Sequence, residues 1–151
     1  MTPLQKTIRP FLIAFSCLSF GKSKDSFKKL HYECKQDNFS SCYTLGVMYD
    51  EGENVKTNEF QAMKLFQKAC NGGISKSCNR LGIMYQFGKV VTIDYSKSAQ
   101  LFEKSCNGND AAGCFSLGVL YYHGLSVNQS NFKAFELFKE SCNGGVIFGC
   151  S

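Results

Sequence analysis

The sequence predicts an all-α protein, an α/α solenoid of stacked helix pairs. Three observations carry the prediction. The stretch CNGGISKSC, Cys70 to Cys78, returns as CNGNDAAGC (Cys106 to Cys114) and CNGGVIFGC (Cys142 to Cys150), with a divergent copy, CKQDNFSSC, from Cys34 to Cys42. The copies are spaced by a constant 36 residues. Between them the same positions hold Leu45/Leu81/Leu117, Gly46/Gly82/Gly118, Tyr49/Tyr85/Tyr121, Gly52/Gly88/Gly124, Val55/Val91/Val127, Leu65/Leu101/Leu137 and Phe66/Phe102/Phe138. A fixed period of this length marks a repeat architecture.

The chain begins differently. Lys6 and Arg9 precede the apolar run FLIAFSCLSF, Phe11 to Phe20, and Ser19 and Gly21 stand where a signal peptidase cuts. This is the layout of a secretory signal peptide, and the run is too short to span a bilayer. Cleavage near Gly21 removes Lys6 and Arg9, and the formal charge falls from +5 to +3. It also removes Cys17 and leaves eight of the nine cysteines, an even set suited to an oxidising compartment. The rival is a lipoprotein site at Cys17, but Ala14 stands where a lipobox prefers leucine and Phe15 is bulky. The lysines are spread along the chain, which argues against a nucleic-acid surface.

The organisation expected is a signal peptide over 1–21 and a partial repeat over 22–39. Full repeats follow over 40–75, 76–111 and 112–147. Residues 148–151 read as the start of a truncated repeat. In each unit, helix A carries the Cys, Leu and Tyr of CYTLGVMY on one face. Glycine at 46, 82 and 118 costs helix stability, about 1 kcal/mol each. Its repetition implies a close helix approach with no room for a Cβ. Gly52, Gly88 and Gly124 suit left-handed C-caps. A short loop holding a buried valine leads to helix B, NEFQAMKLFQKAC in the first unit, which Asn71-Gly72 ends.

This organisation explains the paired cysteines. The first closes helix B and the second opens helix A of the next unit. A tight turn between antiparallel helices brings them within disulfide reach, pairing Cys34 with Cys42, Cys70 with Cys78, Cys106 with Cys114 and Cys142 with Cys150. Each bridge contributes about 2.5 kcal/mol in the chain-entropy model. A metal site is the alternative, but Cys-x7-Cys is not zinc spacing, and only His31 and His123 could assist.

LGVMYDEG, LGIMYQFG and LGVLYYHG, with second helices ending LFQKAC, LFEKSC and LFKESC, resemble Sel1-like repeats, relatives of tetratricopeptide repeats. With the Cys-x7-Cys pairs added, the chain is similar to the secreted Helicobacter cysteine-rich protein family over nearly all of Asp25 to Cys150. The resemblance implies a secreted or periplasmic disulfide-stapled solenoid that binds, and slowly hydrolyses, β-lactam or peptidoglycan-like compounds. Sel1-like repeats elsewhere are adaptors, so the alternative is a non-catalytic protein- or peptide-binding module, acting on a host. The resemblance calls for no metal or other cofactor.

Residues for catalysis are hard to find. Ser26-Phe27-Lys28-Lys29 and Ser130-Asn131-Phe132-Lys133 match the Ser-x-x-Lys of serine β-lactamases. Ser-Asp-Asn and Lys-Thr-Gly are missing, with Lys56-Thr57-Asn58 nearest. Two histidines cannot supply a metallo-β-lactamase site, and pairing the cysteines leaves no thiol nucleophile. Binding has more support. Within helix A the sequence varies at Tyr43/Asn79/Phe115, Thr44/Arg80/Ser116, Asp50/Gln86/Tyr122 and Glu51/Phe87/His123 while the scaffold stays fixed. Arg80, alone among arginines in the expected mature chain, would hold a ligand carboxylate beside Asn79, Tyr43, Phe115 and Tyr122. The alternative for Arg80 is a surface pair with a nearby acid, worth about 0–1 kcal/mol.

Overall fold

A computed structural model describes residues 24–150. The expected signal peptide, with Cys17, lies outside the described residues. A helix over residues 24–35, α1, comes first. Three pairs come after it: α2 (Phe39–Glu51) with α3 (Glu59–Asn71), α4 (Ser75–Phe87) with α5 (Tyr95–Asn107), and α6 (Ala111–His123) with α7 (Asn131–Asn143). A 3-10 turn, Ile147–Cys150, comes last, and there is no strand among the described residues. Helix A is therefore α2, α4 and α6; helix B is α3, α5 and α7, and α1 takes the B position of the partial unit.

Capping residues set the helix lengths, and every paired helix has 13 residues. Gly52, Gly88 and Gly124 are left-handed, with φ of 74°, 71° and 67°, and each N–H donates back to the carbonyl of residue 48, 84 or 120. Asn58, Asp94 and Ser130 cap the B helices, each side chain accepting from the N–H three residues on. At the B-helix ends the left-handed residue is not the shared glycine but the residue after it: Gly73, Asn109 and Gly145. The shared glycine answers a packing demand instead. A Cβ on Gly72, Gly108 or Gly144 would strike Phe39, Ser75 or Ala111, in each case the first residue of helix A in the same unit.

The helix-interior glycines meet their expectation closely. A Cβ on Gly46 or Gly82 would lie 2.6 Å from Phe66 or Phe102, and on Gly118 2.7 Å from Phe138. In each unit the phenylalanine of helix B thus lies against a bare stretch of helix A. The core then crosses the unit boundary: Phe66 joins Leu81 and Met84 of α4, and Phe102 joins Leu117 and Leu120 of α6. Each pair buries its apolar face only because the next pair covers it. Of the loop valines, expected to be buried, Val91 and Val127 reach an intermediate depth, as does Val55.

The four disulfides form as expected, with Cα separations of 4.8, 4.8, 4.5 and 4.9 Å in chain order. Small residues flank three of the four staples. Ala69, Ser105 and Ser141 sit one residue before the first cysteine, and Ser77, Gly113 and Gly149 one before the second. A Cβ on Gly113 would strike Ser105.

Candidate functional site

The A helices provide the surface on which the candidate residues stand. α4 packs against α6, and side chains bridge α2 to α4.

Arg80 already holds carboxylates. Its two terminal nitrogens meet Asp50 Oδ2 at 3.4 Å and Glu51 Oε1 at 3.0 Å, both on the preceding A helix. Lys89 extends the cluster, 3.6 Å from Asp50 Oδ1 and 3.6 Å from Glu59. The Asp50 side chain is only 12% exposed, and its Oδ1 accepts no hydrogen bond. Lys89 therefore steadies it by Coulomb attraction alone, too far away for a hydrogen bond. The guanidinium is a brace between units, and a ligand carboxylate would have to displace an internal one.

Asn79 is 9% exposed. Its side chain meets the Ser116 hydroxyl at 3.2 Å, and that hydroxyl also lies 2.9 Å from the Ala112 carbonyl. A serine carries one proton, so Asn79 can accept it or, with the amide turned over, donate to Ser116 while Ala112 receives it. Either way Ser116 takes one end of the amide, and the other end has no protein partner among the described residues. In the units on either side the same position is aromatic. Tyr43 packs on Phe66 with ring centroids 6.1 Å apart, and Phe115 packs on Phe138 at 5.4 Å and Phe148 at 6.5 Å. Tyr122 stands apart at the far end of α6, exposed, its ring edge against His123.

The serine motifs have structural roles. Ser130 caps α7 by accepting from the Lys133 N–H, as Asn58 and Asp94 do in the other units. Ser26 is exposed on α1, and Lys29 turns to Glu33 at 3.8 Å. His31 packs against Phe27 and approaches the Tyr49 hydroxyl at 3.4 Å. Among the described residues, one group could hold a metal, Cys106, Cys114 and Glu140, and both cysteines are already in a disulfide. No described helix is long and apolar enough to cross a membrane. Asp50, Glu51 and Ser116 were visible as variable positions in the sequence. Lys89 and Glu59 gave no signal, because their positions relative to Arg80 depend on how the units stack.

The Sel1 repeat model matches residues 40–74, 75–110 and 111–146. The chain belongs to the Sel1 repeat family. Among solved structures, this Sel1 chain is similar to a Sel1 repeat protein from Oxalobacter formigenes, at 22% identity and a TM-score of 0.78 over 83% of the chain. It is also similar to a protective antigen of uropathogenic Escherichia coli, at 26% identity and 0.77 over 80%. A third is cysteine-rich protein B of Helicobacter pylori, at 27% identity and 0.68 over 87%. The chain spans 51% and 26% of the first two proteins and 94% of the third. No curated protein sequence matches it. Its four disulfides suit an extracellular or periplasmic setting.

Proposed function

We propose that this Sel1 chain is a secreted or periplasmic binding module that docks an extended peptide segment of a protein partner along its A helices. The observation that carries the reading is Asn79. The residue is nearly buried, yet the free end of its amide reaches the surface and is open to a ligand, and a peptide main chain offers both a donor and an acceptor. Tyr43 and Phe115, one unit away on either side, supply apolar ring surface for alternate side chains of such a segment. Arg80 and its two carboxylates hold α2 and α4 in register beneath it.

Hydrolysis of penicillin-like compounds, which the family resemblance implied, has less support. Ser130 is a cap, every described cysteine is bridged, and Arg80 already holds Asp50 and Glu51.

The test is selection from a displayed peptide library on the oxidised protein, followed by calorimetry on the selected peptides. Asn79→Ala should weaken binding about tenfold, the cost of leaving one buried hydrogen bond unmade. Peptides that bind Asn79→Ala and Phe115→Ala as tightly as the parent would remove this surface from consideration. Penicillin turnover that follows the protein through purification, and is missing from a mock preparation, would reinstate the hydrolase reading.

A further inference from the structure

One position of helix B reaches back to the staple of the unit before it, and its charge changes along the chain. Lys68, Lys104 and Glu140 occupy it. Lys68 Nζ donates to the Cys34 carbonyl at 2.8 Å and pairs with Asp37 at 2.8 Å, so its charge is already engaged. Lys104 lines a cleft of about 460 Å³ that reaches Cys78, with Glu103 as the one other charged residue there. Glu140 lies beside the third staple, where its carboxylate and both sulfurs fall within 4.8 Å of one another.

Two clefts lead to that third staple, one reaching each cysteine. The cleft of about 280 Å³ at Cys106 carries Glu103, Glu136 and Glu140 against Lys133, and the cleft of about 240 Å³ at Cys114 carries Glu140 alone. Both approaches are net negative and share Glu140. The approach to Cys78 is balanced. Cys70, Cys78, Cys106 and Cys114 are all buried, so the clefts are the routes by which a small thiol can reach their sulfurs.

We propose that Glu140 shields the Cys106–Cys114 disulfide from thiolate reductants, making Cys70–Cys78 the redox-sensitive joint of the two. In the reaction, the thiolate of a low-molecular-weight thiol attacks Cys78 Sγ, the S–S bond breaks, and Cys70 leaves as a thiolate. A second thiolate attacks the mixed disulfide, releases Cys78 as a thiolate and forms the oxidised reductant. An adjacent carboxylate repels the incoming anion and disfavours the leaving thiolate, while an ammonium does the reverse. Opening this joint would loosen α4 against α3 close to Asn79 and Arg80, leaving the staple between α5 and α6 closed.

The experiment follows each staple in the oxidised protein by acid quenching, alkylation and peptide mapping, using glutathione (net negative) and cysteamine (positive) as reductants. With glutathione, Cys70–Cys78 should be reduced about fivefold or more faster than Cys106–Cys114, and added salt should narrow the ratio. With cysteamine, whose ammonium offsets the thiolate charge, the ratio should shrink. Glu140→Lys should speed reduction of Cys106–Cys114 more by glutathione than by cysteamine, Glu140→Gln should do so partway, and Lys104→Glu should slow Cys70–Cys78. These side chains are exposed, and unchanged circular dichroism would show that the variants are folded. Equal rates at both staples with both thiols would overturn the proposal. So would a Glu140→Lys effect that is the same for both thiols, since that would indicate a structural cause.

Discussion

Phe102 and Phe138 hold the same position in successive repeats, each against the glycine of its own helix A, yet Phe102 is fully buried and Phe138 only partly buried. The difference comes from the next element along the chain. Phe102 is covered by Leu117 and Leu120 of the next A helix. Among the described residues α7 is followed by the 3-10 turn Ile147–Cys150, and Phe135, Ile147 and Phe148 are 63%, 81% and 79% exposed around it. A repeat motif therefore specifies half of its own core. The neighbour supplies the rest, which is why stability in such arrays belongs to interfaces as much as to units.

The largest effect should come from truncating the two rings. Phe102→Ala should cost about 3–5 kcal/mol in chemical denaturation, and Phe138→Ala about 1–2 kcal/mol, because less surface is buried there and the cavity opens toward solvent. Equal costs would mean that the partly buried ring is held as firmly as the fully buried one.

Removing a staple separates the regions in a different way. Replacing Cys70 and Cys78 together with serine should cost about 2.5 kcal/mol by the loop-closure model. The same change at Cys142 and Cys150 should cost less than about 1 kcal/mol, because the turn it holds can fray while the helix pairs stay folded. Melting of each double variant without reductant would decide the point.

Glycine substitution comes next. Gly82→Ala should destabilise by about 1–2 kcal/mol, overpacking against Phe102 outweighing the helix-propensity gain of about 1 kcal/mol. Gly118→Ala should cost less, since Phe138 can shift toward solvent. A stabilising Gly82→Ala would show that the ring can move aside even when covered.

The smallest effects involve single caps and loops. Ser130→Ala should cost about 1 kcal/mol, whereas Ser130→Asp or Ser130→Asn should be close to neutral, since Asp94 and Asn58 serve the same role in the other units. Val90 sits at φ 56°, where the neighbouring units have Asn54 and Ser126. Val90→Asn should stabilise by about 1 kcal/mol by relieving a left-handed β-branched residue. Thermal melts resolve both.

Much of this was legible in the sequence because repetition acts as an internal comparison. Leucine, tyrosine and glycine held at one register across three units mark helix faces, close approaches and C-caps, and the cysteine spacing marks the turns. The chemistry of the A-helix surface was less legible. Arg80 stood out as an unusual cation, but Asp50 and Glu51 lie about thirty residues before it, and only stacking brings α2 beside α4. Ser130 matched a catalytic pattern because a capping residue and a lysine three positions later satisfy the same short motif.

The helix pairs, the pairing of the cysteines and the close helix approach at the interior glycines were all implicit in the linear pattern, because each depends on residues within one period or one tight turn; that a phenylalanine fills the approach came from the structure. Stacking of the units settles which charges neutralise one another, that Asn79 meets Ser116 of the next unit and which rings are buried. Those outcomes depend on the distance between units, and a linear pattern does not encode that distance until the helices are packed.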